Sequence, residues 1–377
     1  MFPARREYRF AWQEGNRFAL QIDGAQFFPA MLSAIHKASA FVALEMYLFE
    51  SGDIATRIVD ALCAAAQRGV IVNVLLDHYG SLALRDNDRA RLRGSGVVLH
   101  FYNALTLARW RHSFYRDHRK ILIVDGEVAF VGGAGITDEF ITVNNRLGWR
   151  ETMIEVQGPV VRDWCVLFAE GWWRSAGKVF DVDYSLVQQS GKQRGRVVSN
   201  QARGPWEIHR SIVSRIRSAR RQAWLATAYF VPSWKLRRAL RYAARAGADV
   251  RLLLPGPLSD HPGVRHAGWR HYGSLLRHGV RIYEYQPRFM HQKILLCDGW
   301  VSAGSSNVDR WGQRWNLEAN QEIDDADFAA EVTAMLTADF AQAQEVTYAH
   351  WSNRSWSRRF LENFWGRIDA LLQRLER

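Results

Sequence analysis

Apolar stretches recur in the same order in the two halves of the chain. Each half begins with a run rich in aromatic and β-preferring residues. A segment with apolar positions at helical spacing follows it and ends near a glycine, Gly69 or Gly247. Two further apolar runs come next in each half. The predicted strands are therefore 41–49, 70–76 and 96–102 in the first half, and 223–231, 250–254 and 279–285 in the second.

Strands that alternate with helices in this way are typical of an α/β fold with a largely parallel sheet. Because the pattern occurs twice, we predict two copies of one domain, at 1–190 and 191–377. A polar, glycine-containing stretch at 181–206 is interpreted as the linker between them.

The composition is that of a folded globular chain, with 48% hydrophobic and 23% charged residues, and 377 residues suffice for two cores. The net charge of +12 favours phosphate-rich partners, which are nucleic acid, anionic lipid or a phosphorylated substrate. The three Cys are far apart and lack C-x-x-C spacing, which argues against a disulfide framework or a cysteine-based zinc site. A reducing cytosol is therefore the expected compartment.

No signal peptide is predicted, because the first residues contain no apolar core. No membrane-spanning segment is predicted either, because there is no run of about 18 apolar residues. The tail 351–377 has the pattern of a basic amphipathic helix, and two interpretations stay open: packing on the second domain, or docking on an anionic membrane surface. The longer loop of the first half, 103–116, is either a lid or acyl-chain contact, or an ordinary surface loop.

One short motif occurs at equivalent places in both halves: His, then Lys two residues later, then Asp five residues after that. Its residues are His118, Lys120 and Asp125 in the first half and His291, Lys293 and Asp298 in the second. Random order would give this pattern roughly 0.01 times in such a chain, so two copies in register are a strong signal. Both motif cations are Lys although only six of the 50 basic residues are, which indicates that a compact ammonium is needed.

The spacing places each His beside its Lys, because side chains two apart on a strand point to the same face. Each motif Asp precedes a Gly and another apolar run, so we interpret Asp125 and Asp298 as chiefly architectural residues of hairpin turns. Two His and two Lys brought together form a site for a phosphodiester. One His attacks phosphorus, the other protonates the leaving oxygen, and the ammoniums neutralise the remaining oxygens. This chemistry requires no metal and no cofactor.

The paired motifs resemble those of the phospholipase D superfamily, whose members pass through a covalent phosphohistidine. The resemblance implies two tandem, pseudo-symmetric phospholipase D-like α/β/α domains with the active site at their interface. It also implies that Asn307 helps to hold the phosphate and that Glu318 fixes the tautomer of a catalytic His. The first copy departs from the family pattern at two positions. Gly135 replaces an Asn, and Glu151, the proposed partner of one histidine, replaces an Asp.

Further stretches, among them 12–16, 77–81 and 228–232, are similar to bacterial cardiolipin synthases, in particular the shorter type B enzymes. This resemblance implies transfer of a phosphatidyl group between phosphatidylglycerol molecules, with His118 as nucleophile and His291 as general acid, then base. The near symmetry of the motifs allows the reverse assignment. The implied partner is an anionic phospholipid membrane containing phosphatidylglycerol and cardiolipin, bound peripherally at the cytoplasmic face of the bacterial inner membrane.

Three alternatives remain open. In a phospholipase D-type lipid hydrolase, water rather than a lipid alcohol would reach the phosphohistidine. A nuclease or phosphodiesterase of the same superfamily would use the positive charge to bind nucleic acid. The stretches 12–16 and 77–81 are similar to the lipid enzymes, however, so no nucleic acid partner is expected. A membrane-binding protein with a degenerate site is suggested by Gly135 and Glu151, but the intact His and Lys pairs argue against it.

Overall fold

The computed structural model describes residues 9–104, 115–144, 146–184, 188–201, 206–309 and 315–354. Its strands are β1 (Gln13–Ile22), β2 (Phe41–Met46), β3 (Ile71–Asp77), β4 (Val98–Tyr102), β5 (Arg116–Asp117), β6 (Lys120–Val124), β7 (Val128–Gly132), β8 (Thr152–Gln157), β9 (Gln193–Asn200), β10 (Gln222–Thr227), β11 (Asp249–Pro255), β12 (Arg281–Tyr285), β13 (Lys293–Cys297), β14 (Trp300–Gly304), β15 (Asn316–Asp324) and β16 (Ala343–Val346).

Its α-helices are α1 (Gly24–Lys37), α2 (Asp53–Gln67), α3 (Asp86–Gly94), α4 (Val161–Ala176), α5 (Glu207–Ser218), α6 (Trp234–Arg245), α7 (Pro262–Trp269), α8 (Tyr272–Leu276), α9 (Ala326–Ala341) and α10 (Tyr348–Ser352). Residues Asp138–Phe140 form a 3₁₀ helix. Most of the loop 103–116 and of the tail 351–377, for which the sequence left two interpretations each, lies outside the described residues.

In the first half, β2, β3 and β4 pair in parallel, because a helix returns the chain to the same end of the sheet each time. Helix α2 packs on them with Ile54, Ile58 and Leu62, which are fully buried. The predicted three strands and the helix after the first are confirmed to within a few residues at each end. Beyond them the pairing is antiparallel, from β2 through β6, β7 and β8 to β1.

The second half repeats this arrangement. Strands β10, β11 and β12 are parallel, and β13, β14, β15 and β9 continue the sheet with antiparallel pairing. The prediction of a largely parallel sheet is therefore wrong. After its third strand, each half continues through hairpins, which can only pair antiparallel. Strands β1 and β9 pair antiparallel and join both halves into one sheet of 16 strands.

Part of the predicted linker 181–206 is a strand, which corrects the sequence interpretation. It contains β9, which lies between β1 and β15. The polar residues of β9 are not typical of a strand, yet Val197 and Val198 are fully buried. Gly195 lies so close to Phe18 that an added Cβ would be 2.4 Å from the Phe18 ring. The domain boundary near residue 190 stays a prediction.

The two Asp-Gly sequences form hairpin turns after the motif strands. Asp125 (φ 54°) and Gly126 (φ 71°) lead from β6 to β7, and Asp298 (φ 52°) leads from β13 to β14. Each carboxylate accepts three backbone N–H groups at the start of the neighbouring strand. The donors are Ser39, Ala40 and Phe41 for Asp125 and Arg220, Arg221 and Gln222 for Asp298. These bonds fix the turn and the register between the strands.

A shared core fixes how the two halves are placed. In the largest cluster of buried apolar side chains, Trp164 and Phe168 of α4 pack together with Trp224 and Phe328 of the second half. The indole N–H of Trp164 also donates to Gln321 Oε1 at 2.9 Å. The two motifs are therefore held on a common, buried framework. None of the helices in the described ranges combines the length and the apolar character needed to cross a bilayer.

Candidate active site

The first motif lies where the first half touches a strand of the second. The backbone N–H of His118 donates to the carbonyl oxygen of Leu317 at 3.0 Å, because β5 pairs in parallel with the start of β15. Lys120 is the first residue of β6 and pairs with Met46, the last residue of β2. The motif therefore lies at the carboxyl end of the parallel strands, the usual place for a ligand in such sheets.

The second motif has the same environment with the halves exchanged. The backbone N–H of His291 donates to the carbonyl oxygen of Arg150 at 2.8 Å. Lys293 begins β13 and pairs with Thr227, the last residue of β10. Each motif is thus held at the carboxyl edge of its own parallel strands and by a backbone bond to the other half.

Each motif histidine is hydrogen-bonded to a glutamate from the other half of the chain. His118 Nδ1 lies 3.0 and 3.1 Å from the two carboxylate oxygens of Glu318, and His291 Nδ1 lies 2.6 Å from Glu151 Oε2. Both glutamates are fully buried. An ionised carboxylate only accepts, so each pairing favours the tautomer with the proton on Nδ1 and a lone pair on Nε2. Sequence analysis expected a histidine partner for both glutamates, and the structure shows which one each contacts.

Burial favours the neutral forms of all four motif side chains. It lowers the pKa of His118, and it lowers the pKa of His291 well below the usual value. It also lowers the pKa of Lys293, and that of Lys120 to about 7. The charges of both lysines add to the lowering at both histidines. The four groups therefore form one electrostatically coupled cluster, in which a bound anion would favour the protonated forms.

The two lysines differ in their contacts. Lys120 Nζ donates to the carbonyl oxygen of His118 at 2.7 Å and lies 5.0 Å from the centre of the Tyr47 ring. Lys293 Nζ donates to the carbonyl oxygen of His291, lies 2.9 and 3.1 Å from its two ring nitrogens, and is 3.4 Å from Glu151 Oε2. Within the described ranges Lys120 makes no ion pair. Lys293 is thus the motif lysine held by an ion pair, whereas the carboxylates of Glu318 and Glu151 act on Lys120 from beyond ion-pair distance.

The two glutamates are supported by different groups. Ser305 Oγ donates to Glu318 Oε2 at 2.5 Å. At the equivalent position the first half has Gly133, and a Cβ added there would be 2.2 Å from Glu151 Oε2. The backbone N–H of Thr152 donates to Glu151 Oε1 at 2.8 Å instead. The Glu that replaces the family's Asp therefore fits because residue 133 has no side chain.

Gly135 and Asn307 occupy equivalent positions after β7 and β14. A Cβ added at Gly135 would be 2.7 Å from Leu48 Cβ, so the first half has no room for the Asn of the family pattern. Asn307 is buried, and in the described part of the chain its Oδ1 has no hydrogen-bond partner. Such a group is costly unless a ligand pairs with it. The role of Asn307 in holding a phosphate stays a prediction.

Sequence reasoning missed a buried ionic cluster behind Glu151. The guanidinium of Arg150 donates to Asp339 of α9 at 3.0 and 3.1 Å and to Asp23 at 3.1 Å. Asp23 also accepts from Arg288 at 2.5 Å and from the backbone N–H of Glu151 at 3.2 Å. The one local signal is that Arg150 precedes the candidate Glu151, since the other members are distant in the chain.

A second buried cluster, also missed, lies beside the first motif. Arg119 Nε is 2.6 Å from Glu45 Oε1 and 3.2 Å from Asp117 Oδ1. Arg116 pairs with Asp77 at 3.3 Å, and Asp77 accepts the backbone N–H of Asp117 at 2.9 Å. Burial raises the pKa of Asp77 to about 6 and that of Glu45 well above its usual value. The cluster holds the backbone on both sides of the motif histidine.

The structure places the two motif Asp residues away from the histidines. Asp125 and Asp298 are separated from the histidines by the length of a strand, because each follows the last residue of the strand that its Lys begins. They lie in turns, as the Asp-Gly sequences predict, and a direct part in the chemistry stays a prediction. Among the described residues, no three His, Cys, Asp or Glu side chains are grouped to hold a metal ion. Metal-independent chemistry stays a prediction.

Comparison with known proteins gives three findings. The family model described as cardiolipin synthase, PLD-like domain, matches residues 31–165 and 212–340. Cardiolipin synthase A of Pseudomonas putida strain W619 is 35% identical over 341 residues, which are 88% of this chain and 70% of the relative. Cardiolipin synthase B of Escherichia coli strain K12 is 33% identical over 353 residues, 89% of this chain and 84% of the relative.

The fold has a solved counterpart. The crystal structure of phosphatidylserine synthase from Haemophilus influenzae superposes with a TM-score of 0.74 and covers 94% of this chain and 93% of the other. The sequence identity is 13%, so this likeness concerns the fold alone.

Proposed function

Because the chain belongs to the cardiolipin synthase family of proteins with phospholipase D-like domains, we propose that it is a phosphatidyltransferase that forms cardiolipin and glycerol from two molecules of phosphatidylglycerol. The resemblance of the paired motifs to this family is thereby confirmed, and so is the phospholipase D-like α/β fold. The observation that best supports the activity is the exchange of partners between halves. Each motif histidine is oriented by a buried glutamate of the other half, in one cluster with two lysines.

In the first step, His118 Nε2 attacks the phosphorus of a phosphatidylglycerol. A P–N bond forms, the P–O bond to glycerol breaks, and the leaving oxygen takes a proton from His291. Burial keeps both imidazoles neutral in the free protein, which suits the nucleophile. For the general acid, the bound phosphodiester anion and the carboxylate of Glu151 supply the negative charge that favours its protonated form.

In the second step, a hydroxyl group of another phosphatidylglycerol gives its proton to His291 and attacks phosphorus. The P–N bond breaks and His118 is released. Since one phosphodiester replaces another, the direction follows the concentrations of lipid and glycerol. The ammoniums of Lys120 and Lys293 stabilise the non-bridging oxygens in both steps, and Asn307 adds a hydrogen bond.

Membrane association follows from this substrate. A net charge of +12 favours an anionic lipid surface. Peripheral binding at the cytoplasmic face of the bacterial inner membrane, with phosphatidylglycerol and cardiolipin as lipid partners, completes the proposal.

Incubation of the purified protein with phosphatidylglycerol vesicles in excess chelator tests the activity, with lipid products identified by mass spectrometry. We expect cardiolipin and free glycerol. Phosphatidic acid as the sole product would show that water takes the phosphatidyl group, which makes the protein a hydrolase. Unchanged lipid would contradict the proposed substrate.

The two-histidine mechanism has its own test. We expect His118→Ala and His291→Ala each to lower transfer on the order of 10⁴-fold, because each removes a group that forms or breaks bonds in both steps. Co-sedimentation with anionic vesicles should stay unchanged and serves as the control. Substantial transfer by either variant would contradict the mechanism.

A further inference from the structure

A carboxylate at the edge of the site has no place in the two-step mechanism. Asp260 lies in the loop after β11, at the carboxyl end of the parallel strands where the second motif also lies. Its carboxylate accepts a hydrogen bond from the hydroxyl of Tyr229. The ring of Tyr229 meets the ring of His291 edge to face, with 6.2 Å between the centres. A single side chain, that of Tyr229, therefore connects Asp260 to the proposed general acid, His291.

Asp260 remains accessible to a ligand. Its side chain is 21% exposed, and the basic group within 4 Å of it is the imidazole of His261, whose Nε2 lies 3.9 Å from Oδ2. The Tyr229 hydroxyl contacts Oδ2 as well. In the described ranges no hydrogen bond or ion pair is made by Oδ1. One carboxylate oxygen is thus left to accept a hydrogen bond from outside the protein.

A carboxylate without a strong cation partner is unexpected beside a site for an anionic phosphodiester. Its negative charge opposes that of the phosphate at short range. It also favours the protonated forms of His291 and Lys293, against the lowering of their pKa by burial. A carboxylate is well suited, however, to accept hydrogen bonds from hydroxyl groups. Such bonds would offset the unfavourable charge only if the ligand brings more than its phosphate.

We propose that Asp260, held in place by Tyr229, is the subsite for the headgroup alcohol and accepts a hydrogen bond from a second hydroxyl group of glycerol. The inference rests on the proposed function and on His291 as the general acid. In an in-line displacement, the leaving oxygen is opposite the attacking His118 and therefore beside His291. The accepting alcohol takes the same place in the second step. The site thus selects alcohols with more than one hydroxyl group.

The surroundings of the first motif differ in this respect. Tyr47 has its ring 4.7 Å from that of His118, but this ring also lies against the Lys120 ammonium. The carboxylate at the end of the second parallel strand there, Asp77, is fully buried and paired with Arg116. An accessible carboxylate therefore lies on the side of the leaving alcohol, where a hydroxyl group has to be recognised.

A competition between two alcohols for the same phosphohistidine tests the subsite. The purified chain is given phosphatidylglycerol vesicles with equal, excess concentrations of 1,2-propanediol and 1-propanol, which differ by one hydroxyl group. Both phosphatidyl alcohols are quantified by mass spectrometry, and their ratio does not depend on how much protein is active. We expect the diol product to prevail, and we expect Asp260→Asn to lower the ratio about tenfold or more, because a charged acceptor is lost.

Two further variants sharpen the result. Tyr229→Phe removes only the tether, so the ratio should fall by a smaller factor, about threefold. Asp86→Asn, whose carboxylate is 98% exposed at the start of α3, is the matched control and should leave the ratio unchanged. An unchanged ratio in Asp260→Asn would overturn the subsite and leave the proposed function intact.

The remaining outcomes are also decisive. If the unaltered protein forms neither an alcohol product nor cardiolipin, the proposed function is refuted, and the subsite with it. Cardiolipin without either alcohol product would overturn the subsite alone. If ethanolamine is added as a third competitor and Asp260→Asn reduces only its product, the carboxylate recognises an ammonium group. That result would overturn the assignment to a hydroxyl group.

Discussion

The surroundings of the two motif histidines differ in which half of the chain supplies the buried charges. Beside His118, the ionic cluster belongs wholly to the first half; its members are Glu45, Asp77, Arg116, Asp117 and Arg119. Behind His291, the cluster joins the halves, with Asp23 and Arg150 from the first and Arg288 and Asp339 from the second. The motif side chains are nearly symmetric between the halves, whereas the buried ionic clusters beside them are not.

Two equivalent residues show the same contrast. Arg150 and Leu317 each precede an orienting glutamate, and each accepts the backbone N–H of a motif histidine through its carbonyl oxygen. The side chain of Leu317 is apolar and buried, while that of Arg150 binds Asp339 of the other half. We infer that the second motif is the joint between the halves, meaning the place where buried ion pairs connect them. The side chains assigned to the chemistry are thus paired between the halves, while the residues behind them differ.

Replacing the orienting carboxylates one at a time should give the largest change of all the variants that compare the two motifs, a loss of turnover. Glu151→Gln and Glu318→Gln keep the shape of the side chain, but an amide does not fix the tautomer of a histidine. We expect losses in kcat on the order of 10⁴-fold. Glu151→Gln should lose more, because Glu151 also pairs with Lys293. Turnover of phosphatidylglycerol vesicles gives kcat, with thermal unfolding as the control for folding, and losses below about tenfold in both variants would refute the role.

Arg150→Met and Leu317→Met compare the two supports directly. Arg150→Met leaves Asp339 buried without its cation, which should lower the free energy of unfolding by about 3–5 kcal/mol. Leu317→Met conserves volume at the equivalent position and should cost less than about 1.5 kcal/mol. Urea unfolding measures both values. Arg150→Met combined with Asp339→Leu should recover much of the loss, and equal costs for the two single variants would exclude a joint at the second motif.

The sequence was sufficient to predict the motif histidines and lysines, because repetition at equivalent places is visible without a structure. The resemblance to the phospholipase D superfamily also implied Glu151 and Glu318 as histidine partners. It did not assign each glutamate to its histidine, because the pairs cross between halves through the contact of β5 with β15 and of Arg150 with His291. Such pairing depends on how the halves dock, which local patterns do not encode.

The supporting charges and one strand were not predictable for a related reason. Arg150 contacts residues 127 and 189 positions away, so no spacing rule connects them. Strands buried on both faces, such as β2, appear as apolar runs and were predicted. Strand β9 was assigned to a linker, because its polar residues contact neighbouring strands that the sequence does not reveal. Strands with an apolar pattern can therefore be predicted from this sequence, whereas polar contacts between residues far apart in the chain cannot.

A third difference between the halves lies at the equivalent positions Gly135 and Asn307. Gly135→Asn restores the family pattern, but its Cβ would meet Leu48, so we expect a loss of about 1–3 kcal/mol in stability and no gain in turnover. Combining it with Leu48→Ala should relieve part of the strain. Asn307→Ala should instead lower kcat/KM about tenfold with little change in stability. Higher turnover in Gly135→Asn would show that the missing amide limits the first half.

The smallest expected effect is a difference between the two lysines in how they make the free energy of unfolding depend on pH. Burial lowers the pKa of Lys120 from 10.5 to about 7, so above pH 7 the unfolded chain binds more protons than the folded one. The free energy of unfolding therefore rises with pH through this group, up to its unfolded pKa. Lys120→Met should remove that part of the slope, measured by urea unfolding at several pH values from 7 to 9.

Lys293→Met should remove less, because Glu151 opposes the lowering of its pKa. The exposed Lys235 supplies the control, Lys235→Met, with no expected change. A larger effect at Lys293 would mean that Glu151 does not offset the burial of its partner, and that the second motif is no more tightly paired than the first.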